Sequence, residues 1–533
     1  MESSPATLKS IFDLAISRRE DLHTAPTTAL PSSIQTALES LPKSLATASL
    51  GTEETIKYVR EEITPGFATG HAGPRYFGFV TGGTLPAAEA GDFLATIHDL
   101  NCMTNLAEQS IAAALEDRTL EMLLDLLQLP RERFTVRTLT SGATASNVLG
   151  LACGRDFAVR TALSDPTYSV AEDGFSGVTV QVLSDRPHSS TVKAAGITGI
   201  GRANIVDLGR VDGSGMDLAK LEEYLVEYEK GKQVEEKKGI MIALSYGEVN
   251  TVGSNLAAVA QTDFDVLGDM KGECTPNVVA VRELCDKYNV WLHIDAAFGA
   301  FARLVPDLAF MAEHLELADS ITADGHKWLN VPYDCGIFFS RSLSLQQSIF
   351  GPSTRSAPPA YLAPPAPSAG QTPELAAARA IPAPLNLGIE NSRRFRALPM
   401  FCALVAMGRE GYAELVGRNV AFARWVGDWM HAGPGSKWYE VLNADTGFVP
   451  GKVDLNVILF RAREGCGILE FEGGLGGANL IKAINGTRRM YVSPGIGGAV
   501  RLAVSNWMTG LSGGGHEDFN IIVEVLEGVM QIE

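Results

Sequence analysis

VRTLTSGATASNVLGLACGRD, residues 136–156, changes character twice within a short span. A strand ends at Thr140, small residues follow, and a helix opens near Thr144. A strand feeding a helix through a tight turn is half of an αβ unit, and neighbouring segments supply more of them. GVTVQVLS (177–184), GIMIALS (239–245) and VWLHIDAAF (290–298) are short apolar runs that read as buried strands. Helical patterns such as VVAVRELCDKY (278–288) separate them. Apolar strands alternating with helices build a mostly parallel sheet covered on both faces, so residues 86–390 are expected to form a large α/β domain.

The flanks read differently. Residues 1–85 begin with a helix near Pro5 and turn Gly-, Pro- and aromatic-rich around HAGPRYFGFVTGG (71–83). Residues 391–533 open with helical periodicity in 391–416. The strand-like DLNVILFRAR (454–463) and AVRLAVSNW (499–507) follow, as expected of a smaller α+β domain. Between the large and small domains, residues 351–384 are dominated by Pro, Ala and Ser, which predicts a long loop without a regular helix.

Composition removes several classes of function. Charged residues are 20% of the 533 and apolar residues 46%, which suits a folded globular chain. A net charge of −18 argues against nucleic-acid and anionic-membrane partners. No run approaches the ~18 apolar residues of a membrane helix, and the amino terminus lacks a secretory signal's basic start and apolar core. The seven cysteines are scattered without CxxC or CxxH spacing, so a zinc site or disulfide framework is not expected and a cytoplasmic location is.

Four separated clusters carry chemistry. The first is the opening stretch, where Gly142 and Ala143 permit close backbone approach and the Thr144 helix start offers N–H groups and a hydroxyl to a phosphate. Simple helix capping explains such a turn equally well. In LSDRPHSSTVKAA (183–195), His188 either caps the next helix or stacks on a flat ligand. In VWLHIDAAFGAF (290–301), Asp295 lies near the carboxyl end of an apolar strand and must meet a cation or several donors. A protonated ring nitrogen is one such partner, with Ala296 and Ala297 leaving room for the ring. ADGHKWLNVPYDCG (323–336) sets Lys327 between His326 and Trp328. A lysine in a partly apolar pocket becomes an available amine nucleophile, whereas an isolated lysine is ordinarily a surface charge. Together, a phosphate-holding helix start, a stacking His, a ring-nitrogen Asp and a reactive Lys are the parts that hold pyridoxal 5′-phosphate (PLP).

With these parts in this order, the chain resembles the group II PLP decarboxylases, which act on aromatic amino acids, tyrosine, histidine and glutamate. The resemblance rests on TSGATASN (140–147), SDRPHSS (184–190), GEVNT (247–251), HIDAAFG (293–299) and DGHKWLNVPYDCG (324–336). GPRYFGFVTGGTLPAA (73–88), ENSRRFRALPMFCAL (390–404) and VSPGIGGAVRLAVSNWMT (492–509) extend it to roughly residues 40–530. It implies a fold type I, aspartate-aminotransferase-like α/β enzyme and a homodimer. Lys327 would form the Schiff base with the cofactor's aldehyde. Asp295 would pair with the pyridine nitrogen, His188 stack on the ring and Ala297 touch its other face. Ala143, Thr144 and His326 would bind phosphate, with Asp324 close by.

In this family a mobile loop, often crossing to the other subunit, carries a proton-donating tyrosine. Tyr361 is the one tyrosine of 351–384. The implied reaction is conversion of an L-amino acid to an amine and CO2, with oxidative deamination to an aldehyde, another PLP lyase or aminotransferase reaction, or a non-enzymatic descendant as competing readings. Tyr76, Phe77, Phe79 and Met103 are candidates for an aromatic side-chain pocket or for ordinary core packing. The chain departs from the common pattern at Ala145, where an acidic residue is frequent. It also has an extra residue at Val252 and Gly73 in place of a histidine, all of which bears on the substrate side.

Overall fold

The computed structural model describes residues 5–185, 187–210, 215–231, 237–246, 277–355, 371–444, 453–464, 466 and 476–531. The chain forms two compact units. One runs from Thr84 to Gly417, and the other gathers the residues up to Gly83 with most of those from Arg418 onward. The second boundary falls inside the helix Ala397–His431 rather than at 390/391.

In the first unit, seven strands form one sheet: β1 (Val136–Thr140), β2 (Thr179–Ser184), β3 (Ile205–Asp207), β4 (Lys238–Ser245), β5 (Trp291–Asp295), β6 (Ser320–Asp324) and β7 (Gly336–Ser340). Their order is β1-β7-β6-β5-β4-β2-β3. The pairs β2–β3, β2–β4, β4–β5 and β5–β6 are parallel. Strand β7 runs antiparallel to both β6 and β1. The cause is the short link between β6 and β7, residues 325–335, which leaves no room for the helical crossover a parallel return needs. That link contains Lys327, so the same brevity keeps the lysine at the carboxyl end of β6.

Every residue of β5, β6 and β7 is buried, as strands covered on both faces require. Helix α1 (Ala143–Leu163) packs on this sheet. It reaches the strands closely because of two interior glycines. A Cβ at Gly150 would lie 2.3 Å from His293 Cε1, and one at Gly154 would lie 2.4 Å from Met241 Cε. Glycine costs a helix interior about 1 kcal/mol relative to alanine; here it makes room for the His293 ring.

Buried charge also fixes β5. The fully buried Asp319 accepts from both Nη1 contacts of Arg282 at 3.1 Å and from Leu292 N at 2.7 Å, and Arg341 Nη1 lies 2.7 Å away. Burial pushes the Asp319 carboxyl up, while Arg282 and Arg341 draw it down. Asp319→Ala would remove the buried partner of Arg282 and leave it the exposed Asp286, 2.6 Å away, and a loss of about 3 kcal/mol in denaturant unfolding is expected.

In the second unit, β8 (Tyr439–Val441), β9 (Val457–Ala462), β10 (Ser493–Pro494) and β11 (Val500–Ala503) form an antiparallel sheet ordered β10-β11-β9-β8. Its core joins Phe77 from the amino-terminal segment to Phe460, Leu502, Ile522 and Leu526. The α/β class with a smaller α+β part is therefore observed.

Two local expectations need correction. VWLHIDAAF does not run as strand to Phe298: pairing stops at Asp295, and Ala297 N turns back to donate to that carboxylate at 3.1 Å. The stretch 351–384 does hold a regular helix, Pro373–Ala380. Thr372 caps it through Leu375 N, and Pro373 sits at the helix start, where a missing N–H costs nothing. No described helix is long and apolar enough to cross a membrane.

Candidate active site

The carboxyl ends of β4, β5 and β6 and the start of α1 open onto a cavity of about 590 Å³, within the first unit. This is where an open α/β sheet ordinarily binds its ligand. The cavity is lined by Ala143, Thr144, His188, Asp295, Ala297, Asp324, His326 and Lys327, so the four sequence clusters converge.

The turn before α1 is pinned from within. Thr140 Oγ1 donates to Gly142 O at 3.0 Å and lies 2.8 Å from Ser146 Oγ. Gly142 O accepts from Ala145 N and Ser146 N, closing the first helical turn. The N–H groups of Ala143 and Thr144 precede any intrahelical acceptor, and the helix end is positive.

Asp295 is 7% exposed and forms no ion pair with a described residue. Its Oδ2 accepts from Asn147 Nδ2 at 2.7 Å and its Oδ1 from Ala297 N. Two neutral donors orient this carboxylate, and no described cation pairs with it. Asn147 Nδ2 also donates to Ser190 Oγ at 2.9 Å, and Asn147 Oδ1 lies 3.0 Å from His293 Nε2. On its other edge, His293 Nδ1 lies 2.8 Å from Ser320 Oγ, which accepts from Trp291 Nε1 at 3.0 Å. Burial pushes the His293 pKa down to about 4, overriding the opposite pull of Asp295 and the Ser320 backbone.

His188 serves as the cap of the helix α2 (Ser189–Ile197): its Nδ1 accepts from Ser190 N at 3.2 Å and lies 2.6 Å from Ser190 Oγ. It lines the cavity at the same time. Capping and facing the ligand site are thus compatible for this residue.

Lys327 is half-buried, with Nζ 5.4 Å from the centre of the Phe298 ring. Beside it, His326 stacks on Tyr333 with centroids 4.6 Å apart. Asp324 Oδ1 and His326 Nδ1 come within 3.0 Å of each other, but neither makes a hydrogen bond within the chain. The Lys327 amine and the positive start of α1 suit the anionic end of a ligand, and the Asp295 carboxylate suits its donor or cationic end. The donor set fits PLP: an amine for its aldehyde, a carboxylate for its ring nitrogen, and a helix start for its phosphate.

Tyr361 and GEVNT (247–251) lie outside the described residues. Tyr76 stacks on Tyr491 at 4.5 Å, Phe77 sits in the core of the second unit, Phe79 is exposed and Met103 is buried in the first unit. None of the four lines this cavity. Asn147, Ser190, His293 and Phe298 join the site without a marker of their own in the sequence clusters. A polar amide one turn after Thr144, on an otherwise small and apolar helix, was the available signal for Asn147.

The model of the pyridoxal-dependent decarboxylase conserved domain matches residues 35–435. The chain belongs to this family. Its cofactor is PLP and its reaction class amino-acid decarboxylation. Among curated relatives of this decarboxylase, tryptophan decarboxylase 1 of Oryza sativa subsp. japonica is 26% identical over 87% of the chain and 81% of the relative. Tyrosine decarboxylase 4 of Petroselinum crispum is 25% identical over 73% and 68%. The crystal structure of Oryza sativa TDC with PLP and tryptamine superposes with a TM-score of 0.75 at 21% identity, covering 99% of this chain and 98% of that one. At that identity the likeness speaks for the fold, which is that of a fold type I PLP enzyme.

Proposed function

We propose that this decarboxylase acts on an aromatic or bulky hydrophobic L-amino acid, releasing the amine and CO2, with Lys327, Asp295 and His188 at the centre of the reaction. The observation that carries this reading is the convergence of Lys327, Asp295 and the first turn of α1 on one cavity. The names of the tryptophan and tyrosine decarboxylases among its relatives support the substrate class.

Bound there, PLP supplies an electron sink for the pair left behind as CO2 departs. Lys327 would hold the cofactor through its Nζ and would serve as a base in the cavity. Asp295, buried and oriented by Asn147 Nδ2 and Ala297 N, would hold a proton on the ring nitrogen. Ala143, Thr144 and His326 would bind the phosphate, with Asp324 close by. His188 and Ala297, which both line the cavity, would hold the ring.

Tyr361, from the 351–384 segment, moves a proton to the α-carbon, with His188 as the neighbouring donor, and the segment excludes water at that stage. The protein acts as a cytoplasmic homodimer in which that segment reaches the other subunit. The free thiols of its six described cysteines and the family resemblance support this part of the reading.

A screen of CO2 release across the L-amino acids, with ammonia and peroxide measured in parallel, tests the reading. Release of CO2 with stoichiometric amine from tryptophan, tyrosine or phenylalanine is expected. Stoichiometric ammonia and peroxide would instead identify an aldehyde-forming enzyme, and amino transfer without CO2 a transaminase. For Tyr361→Phe, the expected result is a product shift from amine toward aldehyde and ammonia, read by the same assay. An unchanged product ratio would remove Tyr361 from the proton transfer.

A further inference from the structure

We propose that Trp291, Ser320, His293 and Asn147 form a one-way hydrogen-bond relay that orients both Asp295 and His188, and that His293 is a positioning residue for the ring-nitrogen carboxylate. The inference rests on the functional reading of Asp295 and His188 given above and adds residues that neither the sequence motifs nor the resemblance assigned.

The direction of every bond follows from donor chemistry. An indole N–H only donates, so Ser320 Oγ accepts from Trp291 Nε1 at 3.0 Å. At the other end, an ionised Asp295 only accepts, so the Asn147 atom 2.7 Å from it is the NH2 group. That choice leaves Asn147 Oδ1 facing His293 Nε2 at 3.0 Å, and a carbonyl oxygen requires a proton on Nε2. A neutral His293 then carries none on Nδ1, which accepts the Ser320 hydroxyl proton over 2.8 Å. The second Asn147 proton goes to Ser190 Oγ at 2.9 Å, and the Ser190 hydroxyl and N–H both point to His188 Nδ1. One amide therefore serves the carboxylate and the stacking imidazole together, and leaves His188 protonated on Nε2.

The fold is built around this path. Trp291, His293 and Asp295 occupy alternate positions of β5 and so share a face of the sheet. Ser320 on β6 is the register partner of His293. On the α1 side, Gly150 leaves the space that the His293 ring fills. Asn147, His293 and Ser320 are each at most 1% exposed, so water does not compete for these bonds.

The consequence is electrostatic as well as geometric. Asp295 is the charge that acts on the His293 ring among the described residues, while Ser320 on β6 and Asn147 on α1 are uncharged. A cationic His293 would share the Asp295 charge and weaken its hold on the ring nitrogen. The neutral, Nε2-protonated form keeps that charge for the cofactor. It also locks the Asn147 amide, because a flipped amide would set an oxygen against the carboxylate.

The test uses the PLP-loaded enzyme and its Ser320→Ala, His293→Gln and His293→Phe variants. In 15N-histidine NMR, the signal lost in H293Q is expected to show Nε2–H with a bare Nδ1, unchanged across about pH 5 to 8, where an ordinary imidazole titrates. In absorbance titrations of the bound cofactor, the ring-nitrogen transition should move down by about one pH unit in H293F, the scale of losing a hydrogen bond to a charged group. S320A should move it in the same direction. H293Q, which can still donate to Asn147 and accept from Ser320, should return it toward the wild-type value. Turnover should lose about 10- to 100-fold in kcat in H293F, as for outer-shell partners elsewhere, with KM held.

An Nδ1–H or doubly protonated His293 would overturn the relay. Folded H293F and S320A enzymes with the wild-type transition and kcat would do so too. If H293F fails to fold, S320A and H293Q decide. The NMR and absorbance arms need no turnover, so a cofactor-binding protein that releases no CO2 would count against the proposed reaction while these arms still judge the relay.

Discussion

Lys327→Ala is expected to leave a folded protein with no measurable decarboxylation and without the visible absorbance of lysine-bound cofactor. The loss of kcat should be roughly 10⁶-fold, the scale seen when an essential nucleophile is removed. Lys327 follows the carboxyl end of β6 in a link too short to reach elsewhere, and its amine shares a cavity with Asp295 and the start of α1. The residues after it are buried: Trp328, Leu329 and Asn330 are all 0% exposed, and Tyr412 Oη donates to Leu329 O at 3.0 Å. The backbone that carries the amine is therefore held independently of it, so alanine should not disturb the fold. Circular dichroism and thermal unfolding report on the fold, and a small added amine such as methylamine should restore part of the turnover. A variant that keeps both absorbance and turnover would remove Lys327 from the chemistry.

Asp295→Asn should produce a different phenotype. The side chain keeps its size, and Lys327 can still bind the aldehyde, so visible absorbance should persist. What disappears is the one negative charge against the ring nitrogen, and kcat should fall on the order of 10²–10³-fold, as when one preorganised electrostatic contact is lost. The fall belongs in kcat because the charge acts on electrons that move only during the reaction. The substituted amide would also set an NH2 group or an oxygen against Asn147, whose Nδ2 now donates to Oδ2. Wild-type kcat in D295N would show that the ring nitrogen needs no carboxylate partner.

Lys327 and Asp295 were legible in the sequence because each is a charged group embedded in apolar neighbours, where an unpaired charge demands a partner. Their convergence was not legible residue by residue; it follows from the sheet order that brings the ends of β5 and β6 together. Asn147 and His293 were hidden for opposite reasons. Asn147 looks like one more small polar residue in a helix start, and His293 lies inside an apolar run where its ring reads as filler. Only the Gly150 space and the 3.0 Å contact between them give either a role. The strand limit at Asp295 was overrun because AAF continues the apolar pattern after pairing has ended. The helix Pro373–Ala380 was missed because proline was read as a breaker where it begins the helix.

The glycine notch of α1 has a consequence for what the cavity can accept. With Gly150 and Gly154 set against the His293 and Met241 side chains, helix and strand behave as a single block. The span from the first N–H groups of α1 to the end of β5, where Asp295 stands, is then set by backbone packing. Under the proposed roles of these groups, it would act as a ruler for the distance between a ligand's phosphate and its ring nitrogen. A cofactor analogue lengthened by one methylene between ring and phosphate would be measured and rejected.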